Sequence, residues 1–344
     1  MNASTLTSWA LLIWKGLQIS GHDPRALFKE LGLDPKLLSD GNARYDAKKM
    51  ACLWRRAVEL SGNPCIGVDI GQLWGATTFN ALGFAWLASS SLGDALRRFV
   101  KYTQVINDGT VSELIMRGGD YELSINAVDV SFSPEHASLD AGAVAFVKMC
   151  RLLRGDAFKP DEVLFFHQPS VSNVPLEAYL RCGVRYKTNS ISHANTLLKI
   201  RINRYDVEAE LPTGNSALVQ ASELLTLDYL NTLKMSSVSN RVMAKLVELL
   251  PGAKVSEKDL ANKLNMSPRS LQRRLLEEGT SYKALLSQMR QDMAKLHLKN
   301  SHLSLSDVAY LLGFSEQASF SRAFRRWYDM APTDYRKMII SDPA

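Results

Sequence analysis

The segments Asp259-Leu260-Ala261-Asn262-Lys263-Leu264-Asn265-Met266-Ser267 and Asp307-Val308-Ala309-Tyr310-Leu311-Leu312-Gly313-Phe314-Ser315 decide the reading of this chain. They match at an offset of 48 residues (307 against 259): Asp, an apolar residue, Ala, a turn, then Ser. Each Asp follows a Ser by three positions, Ser256 and Ser304, giving the S-x-x-D form of a capping box at a helix start. A second helix follows each turn. The first has Ser267 as N-cap and Pro268 at its first position, with Leu271 and Leu275 turned inward; the second starts near Glu316 and buries Phe320, Phe324 and Trp327. Two helix–turn–helix units are therefore expected.

The outward faces of those second helices carry the chemistry. Arg269, Gln272 and Arg273 fall at i, i+3 and i+4, opposite the two leucines, and Gln317 and Ser321 sit beside Ala318, Arg322 and Arg325, opposite the aromatic face. Arg can bond O6 and N7 of guanine together, Gln can bond N7 and N6 of adenine, and such side chains near a helix start suit major-groove reading. A single amphipathic helix with polar residues outside would be read as a solvated face; two capped copies are read as recognition helices. Arg274, Arg325 and Lys283 are placed to contact phosphates. Between the units, Lys283–Leu298 reads as one helix of about 16 residues, ~24 Å at 1.5 Å per residue. With the widths of its flanking units it can set two recognition helices about one duplex turn, ~34 Å, apart.

The charge supports this placement. Residues 230–344 hold 18 Lys+Arg against 11 Asp+Glu, net +7, whereas residues 1–229 hold 23 against 24, net −1; the whole chain is at +6. A basic part joined to a neutral one is the electrostatic footprint of a nucleic-acid binder with a separate sensing or assembly part. The length of 344 residues, with 46% hydrophobic and 22% charged residues, fits two or three globular domains and excludes a disordered or fibrous chain. Cys52, Cys65, Cys150 and Cys182 are scattered without a C-x-x-C pair, which argues against a disulfide framework or a thiolate zinc site and points to a reducing, cytoplasmic setting. The apolar run Leu6–Ile19 is interrupted by Lys15 and lacks a basic leader, so it reads as an amphipathic helix and not as a signal or membrane segment.

Upstream of residue 216 both periods occur. A helix is expected after Pro24, stopped at Gly32, and another at Asp46–Ser61 with Met50, Leu53, Trp54, Ala57 and Val58 inward. Ser91-Leu92-Gly93-Asp94 reads as a capping box opening a third. Alternation on both sides of Gly118-Gly119-Asp120 marks a hairpin. Further elements are a buried helix at His136–Leu153, a strand at Val163–Phe166, a short helix from Pro175 to Gly183, and strand-like text over Val184–Ile202. The expected fold is an α+β effector domain (residues 1–215), a linker and connecting helix (216–238), and an all-α domain with two helix–turn–helix units joined by a long helix (239–344).

The run Asp307-Val308-Ala309, Leu312-Gly313-Phe314, Ser319-Phe320-Ser321-Arg322-Ala323-Phe324-Arg325-Arg326 and Pro332-Thr333-Asp334-Tyr335-Arg336 resembles the DNA-binding domain of AraC/XylS-type bacterial transcription regulators. One departure is Asp329-Met330-Ala331, where that family commonly has Gly before the Pro. The resemblance places the family's base-reading positions on Arg269, Gln272 and Arg273, and on Gln317, Ala318, Ser321 and Arg322; Ala318 can at most touch a thymine methyl. Leu31-Gly32-Leu33-Asp34-Pro35, Leu53-Trp54-Arg55, Gly67-Val68-Asp69-Ile70-Gly71 and Leu92-Gly93-Asp94-Ala95-Leu96-Arg97-Arg98 resemble the effector-binding module of regulators such as those of ornithine utilisation. It implies a small-molecule effector, a homodimer, a bipartite double-stranded DNA operator, and recruitment or blocking of RNA polymerase. The alternative is a first domain that is only an oligomerisation or docking platform.

No catalytic, cofactor or metal motif competes. The six histidines (His22, His136, His167, His193, His297, His302) have no ligand spacing, and no G-x-S-x-G, Walker loop or G-x-G-x-x-G is present. His136 and His167 read as structural or surface residues, with a pocket role as the rival reading. Phe84, Trp86, Arg97 and Tyr102 are likewise divided between pocket and core.

Overall fold

The computed structural model describes residues 3–129, 134–169, 174–187, 195–251, 255–300 and 302–341, of which 234–236 and 339–341 are described in backbone alone. The chain divides into two compact units, one ending at Leu230 and one beginning at Asn231. The expected sequence of an α+β part followed by an all-α part is what the elements form.

In the first unit β1 (Ser4–Leu6) pairs antiparallel with β2 (Arg44–Asp46), alongside the helices α1 (Thr7–Ile19), α2 (Arg25–Glu30), α3 (Ala47–Ser61), α4 (Ile66–Gln72), α5 (Asn80–Leu87) and α6 (Leu92–Tyr102), of which α1 and α3 pack against the strand pair. α1 is the expected amphipathic helix, with Ala10, Ile13 and Leu17 buried. α3 buries Met50, Leu53, Trp54 and Ala57, and the Asp46 carboxylate caps it by accepting from the N–H groups of Lys48 and Lys49. The capping box expected at α6 is half formed. Ser91 accepts from the Asp94 N–H, but the Asp94 carboxylate accepts from the N–H and hydroxyl of Ser90 and pairs with Arg98 at 2.6 Å. The nearby cation draws the carboxylate away from its reciprocal partner.

Strands β3 (Thr110–Arg117) and β4 (Asp120–Ala127) form the expected hairpin, turned by Gly118 and Gly119 at φ +63° and +95°. Then come α7 (His136–Arg154), β5 (Glu162–Phe165), α8 (Val174–Leu180), β6 (Gly183–Tyr186), β7 (Thr196–Ile202), α9 (Arg204–Glu208) and α10 (Ser216–Ser236). The strand-like text from Val184 to Ile202 is two strands that are not neighbours, and residues 188–194 lie outside the described residues. The sheet order is β3-β4-β7-β5-β6, antiparallel except for the β5–β6 pair. β7 alternates cleanly: Thr196, Leu198, Ile200 and Ile202 are buried, with Lys199 and Arg201 on the other face. Register sets Ile200 between Leu123 and Val163, one apolar row facing the core. α7 closes that core against α4, and only glycine permits the approach. A Cβ at Gly67 would stand 2.2 Å from the Ala137 carbonyl oxygen, and one at Gly71 2.7 Å from that of Ala141.

The second unit is helical throughout its described residues: α11 (Val238–Leu249), α12 (Glu257–Lys263), α13 (Pro268–Glu277), α14 (Tyr282–Leu298), α15 (Leu305–Leu311), α16 (Gln317–Tyr328) and α17 (Pro332–Ser341). It has two cores. Val242, Leu246, Leu260, Leu264, Leu271 and Leu275 fill one; Leu298, Val308, Leu312, Phe320 and Phe324 fill the other; Met293 of α14 packs against both. Among the described residues no helix is long and apolar enough to cross a membrane.

Candidate nucleic-acid interface

Both helix–turn–helix units start with a complete capping box: Ser256 with Asp259, and Ser304 with Asp307, each hydroxyl accepting from the Asp N–H while the carboxylate accepts from the Ser N–H. Interaction of each carboxylate with the Ser hydroxyl, followed by its bond from the Ser N–H, holds both carboxyls below their usual range. The turns match as well. Asn265 and Gly313, again 48 apart (313 against 265), take the left-handed conformation at φ +55° and +68°. The copies then diverge. α13 is capped by the Ser267 hydroxyl, but α16 starts after Glu316, which makes no side-chain cap bond, so Ser315 is one extra residue and the recognition helices align at 49 (316 against 267).

On α13, Leu271 and Leu275 are fully buried, and Arg269, Gln272, Arg273 and Arg274 are exposed. Arg273 makes only an exposed i,i+4 pair with Glu277 at 3.4 Å, an interaction too weak to hold it from another partner. On α16, Phe320 and Phe324 are fully buried and Trp327 only half-buried, which corrects the expectation for that ring: it packs against Phe314 at the edge of the second core. Gln317, Ala318, Arg322 and Arg325 are exposed and Ser321 half-exposed. Gln317 is engaged, its Oε1 accepting from the Ser306 hydroxyl of α15 at 2.8 Å, and Arg322 donates to Ser319 Oγ at 3.2 Å. Lys283 is exposed at the start of α14.

Two residues that sequence reasoning missed hold this arrangement. Arg290, midway along α14, donates from Nε to the Leu312 carbonyl and from a terminal nitrogen to the Gly313 carbonyl, both at 2.9 Å, and its guanidinium lies 4.3 Å from the Phe314 ring centroid. It clamps the second turn to the connecting helix, and burial lowers its pKa. Glu278, just past α13, accepts from the N–H groups of Val238 and Ser239, both at 2.8 Å, and from the hydroxyls of Ser237 and Ser239, so it caps α11. Burial raises its pKa, but these bonds outweigh burial and leave it below the ordinary carboxylate value.

In the first unit, Trp86 and Tyr102 are core residues: the Trp86 indole packs on Phe99 and Phe146 and donates to the Met149 carbonyl. Phe84 and Arg97 are exposed. His136 and His167 do meet, with stacked rings 3.9 Å apart. His193 lies outside the described residues. Among the described residues no group of His, Cys, Asp or Glu could hold a metal ion.

Comparison with known proteins covers both units. The family profile for the arabinose-binding domain of AraC transcription regulator, N-terminal, matches residues 21–191, and a helix-turn-helix domain profile matches residues 260–338. The chain is 27% identical to the ornithine utilization regulator of Pseudomonas aeruginosa over 318 residues, 92% of this chain and 91% of that protein. It is 25% identical to the HTH-type transcriptional regulator VqsM of the same species over 281 residues, 78% of this chain and 83% of that one. The solved structure of transcriptional regulator CdpR from P. aeruginosa aligns over 95% of this chain and 98% of its own, at 23% identity and a TM-score of 0.44. These relatives are transcription regulators and not enzymes.

Proposed function

This chain belongs to the AraC family of DNA-binding transcription regulators, and we propose that it reads a bipartite operator with α13 and α16 in neighbouring major grooves. The observation that carries the reading is the fixed pair of polar edges. Arg269, Gln272 and Arg273 on one helix, and Gln317, Ala318, Ser321 and Arg322 on the other, face outward from separate cores that α14 links. α14 has 17 residues, ~25 Å of helix. Arg274, Arg325 and Lys283 hold phosphates and set register.

Residues 1–215 bind a small-molecule effector, residues 216–238 connect, and residues 239–344 bind DNA. The effector acts by binding the DNA-competent state more tightly than the other. On α10, Leu218, Leu224, Leu225 and Leu227 are exposed, a surface suited to pairing in a homodimer. The DNA-bound dimer recruits or blocks RNA polymerase, in the cytoplasm. The neighbouring relative named for ornithine utilization supports a metabolite-responsive role.

The test is selection of genomic fragments by the purified full-length chain, followed by titration of the selected duplex. Arg273→Ala should lose ~1–3 kcal/mol at a single base position. Equal weakening on all sequences, or no preference at physiological salt, would sink the reading.

A further inference from the structure

We propose that the ends of the parallel strands β5 and β6, together with the first turns of α7, form a binding site for a small molecule carrying a primary ammonium group. This rests on the reading that the first unit takes an effector, and it names the place and the chemistry.

The site is assembled from four elements distant in sequence. Phe165 and Tyr186 are register partners at the ends of β5 and β6, and their rings stack at 5.6 Å. His167, two residues past Phe165, meets the Tyr186 ring edge-on at 5.5 Å, and His136 of α7 stacks on the His167 ring. Asp140 lies one helical turn beyond His136, on the same side of α7. Cys65 ends the loop entering α4, which the glycine contacts press against α7. Asp140, His136, His167, Tyr186 and Cys65 are each only partly covered, at the border of the core.

The cluster holds two polar atoms with unmet demands, and both are acceptors. His167 Nδ1 lies 2.7 Å from the Gln168 carbonyl oxygen, so that nitrogen carries the proton and Nε2 presents a lone pair; Nε2 is buried and makes no hydrogen bond. Asp140 Oδ1 is likewise buried without a hydrogen bond. Among the described residues no cation offsets the Asp140 carboxylate, and burial raises its pKa to about 7. Buried polar groups are normally paired, and a buried carboxylate needs both charge and donors. An ammonium supplies three N–H donors and the charge, and the faces of Tyr186 and the imidazoles suit a cation. An anion would meet the Asp140 charge, and a neutral hydroxyl would leave it uncompensated. The rings are stacked, not splayed, so the imidazoles do not converge on a metal.

The experiment uses the full-length chain at pH 8, where Asp140 is ionised, with n-butylamine, 1,4-diaminobutane, 2-phenylethylamine and L-lysine as probes and n-butanol as the uncharged control. Amines should raise the Tm saturably and n-butanol should not. Asp140→Asn, which keeps shape and removes charge, should weaken the amine response at least tenfold without lowering the ligand-free Tm; His167→Phe, which keeps the ring stack, should weaken it too. A response to none of the amines, an unchanged response in Asp140→Asn, or an equal response to n-butanol overturns the proposal. Duplex titration on the same preparations separates the readings: selective DNA binding without an amine response overturns this site alone, and an amine response without DNA selectivity overturns the regulator reading alone.

Discussion

Asn265 turns the first helix–turn–helix unit and Gly313 the second, in the same left-handed conformation, and identical capping boxes start both. Beyond the turn the copies are filled differently. The first core is aliphatic, built on Leu260, Leu264, Leu271 and Leu275; the second is aromatic, with Phe314, Phe320 and Phe324 joined by Tyr328 and Tyr335. The reading edges differ in parallel. The first carries the exposed cations Arg269 and Arg273, the latter in an exposed pair with Glu277, and an exposed Gln272; the second carries Ala318, Ser321, Arg322 and a Gln already bonded to Ser306. The comparison teaches that the two units share backbone devices and differ in side-chain chemistry. On the proposed reading, direct base contacts fall mainly to the first unit, while the turn of the second is gripped by Arg290.

The largest expected effect breaks the second core. Phe324→Ala removes a ring that touches Phe320, Tyr328 and Tyr335, and should cost ~3–5 kcal/mol. Because the cores are separate, hydrogen exchange in the full chain should quicken over α15 and α16 more than over α12 and α13; Leu275→Ala should do the reverse. Uniform quickening in both variants would show one cooperative body and remove the basis for treating the units apart.

Next is the clamp. Arg290→Met keeps the stem and removes both hydrogen bonds to the second turn, at ~1–3 kcal/mol of stability. If the clamp sets the spacing of the recognition helices, affinity for the bipartite duplex should fall at least tenfold while affinity for the first half-site alone stays unchanged. An equal loss on both would assign Arg290 to stability only. The division of reading itself is sharpened by Arg273→Ala against Ser321→Ala: ~1–3 kcal/mol lost at one base position for the first, and under ~1 kcal/mol for the second.

A smaller effect belongs to the first unit alone, because Glu278 has no counterpart in the second. Its folded pKa lies below the unfolded value of 4.5. Its stabilisation is therefore present above pH 4.5 and lost as pH falls through the folded value. Glu278→Gln should cost ~1–2 kcal/mol at pH 7, the size of a lost helix cap, and progressively less as pH falls through the folded value. Melting across a series of pH values checks the sign.

What the sequence made legible follows from what each feature depends on. The repeat, the capping boxes and the inward Leu271, Leu275, Phe320 and Phe324 are local, because they depend on spacing along one helix. Arg290 escaped because its partners are carbonyls at 312 and 313, which any residue supplies. The extra Ser315 escaped because Ser267 and Ser315 look alike as caps, and only the backbone shows that one of them is not. β1 and β2, three residues each, are too short to show alternation. In the first unit, the meeting of His136, Asp140, His167 and Tyr186 depends on sheet order and on the Gly67–Ala137 approach, neither of which leaves a periodic trace. The family's missing glycine is legible in retrospect: Asp329 takes φ +53° at the end of α16, where a glycine would be unstrained.

The smallest effect tests the turns themselves. Asn tolerates the left-handed region better than other side-chain-bearing residues but less well than Gly. Asn265→Gly should therefore relieve backbone strain at the first turn, partly offset by the extra freedom glycine gains in the unfolded chain, for a net change within ~0.5 kcal/mol. Gly313→Asn imposes the same residue on the second turn, where the Gly313 carbonyl is held by Arg290 and the adjoining Phe314 ring lies under the guanidinium. That turn has less room to adjust, so the loss should be ~0.5–1 kcal/mol. If the swaps prove equal and opposite, the turns are interchangeable and the clamp adds no rigidity; if Gly313→Asn is the larger, the second turn is the stiffer of the two, as the Arg290 clamp predicts.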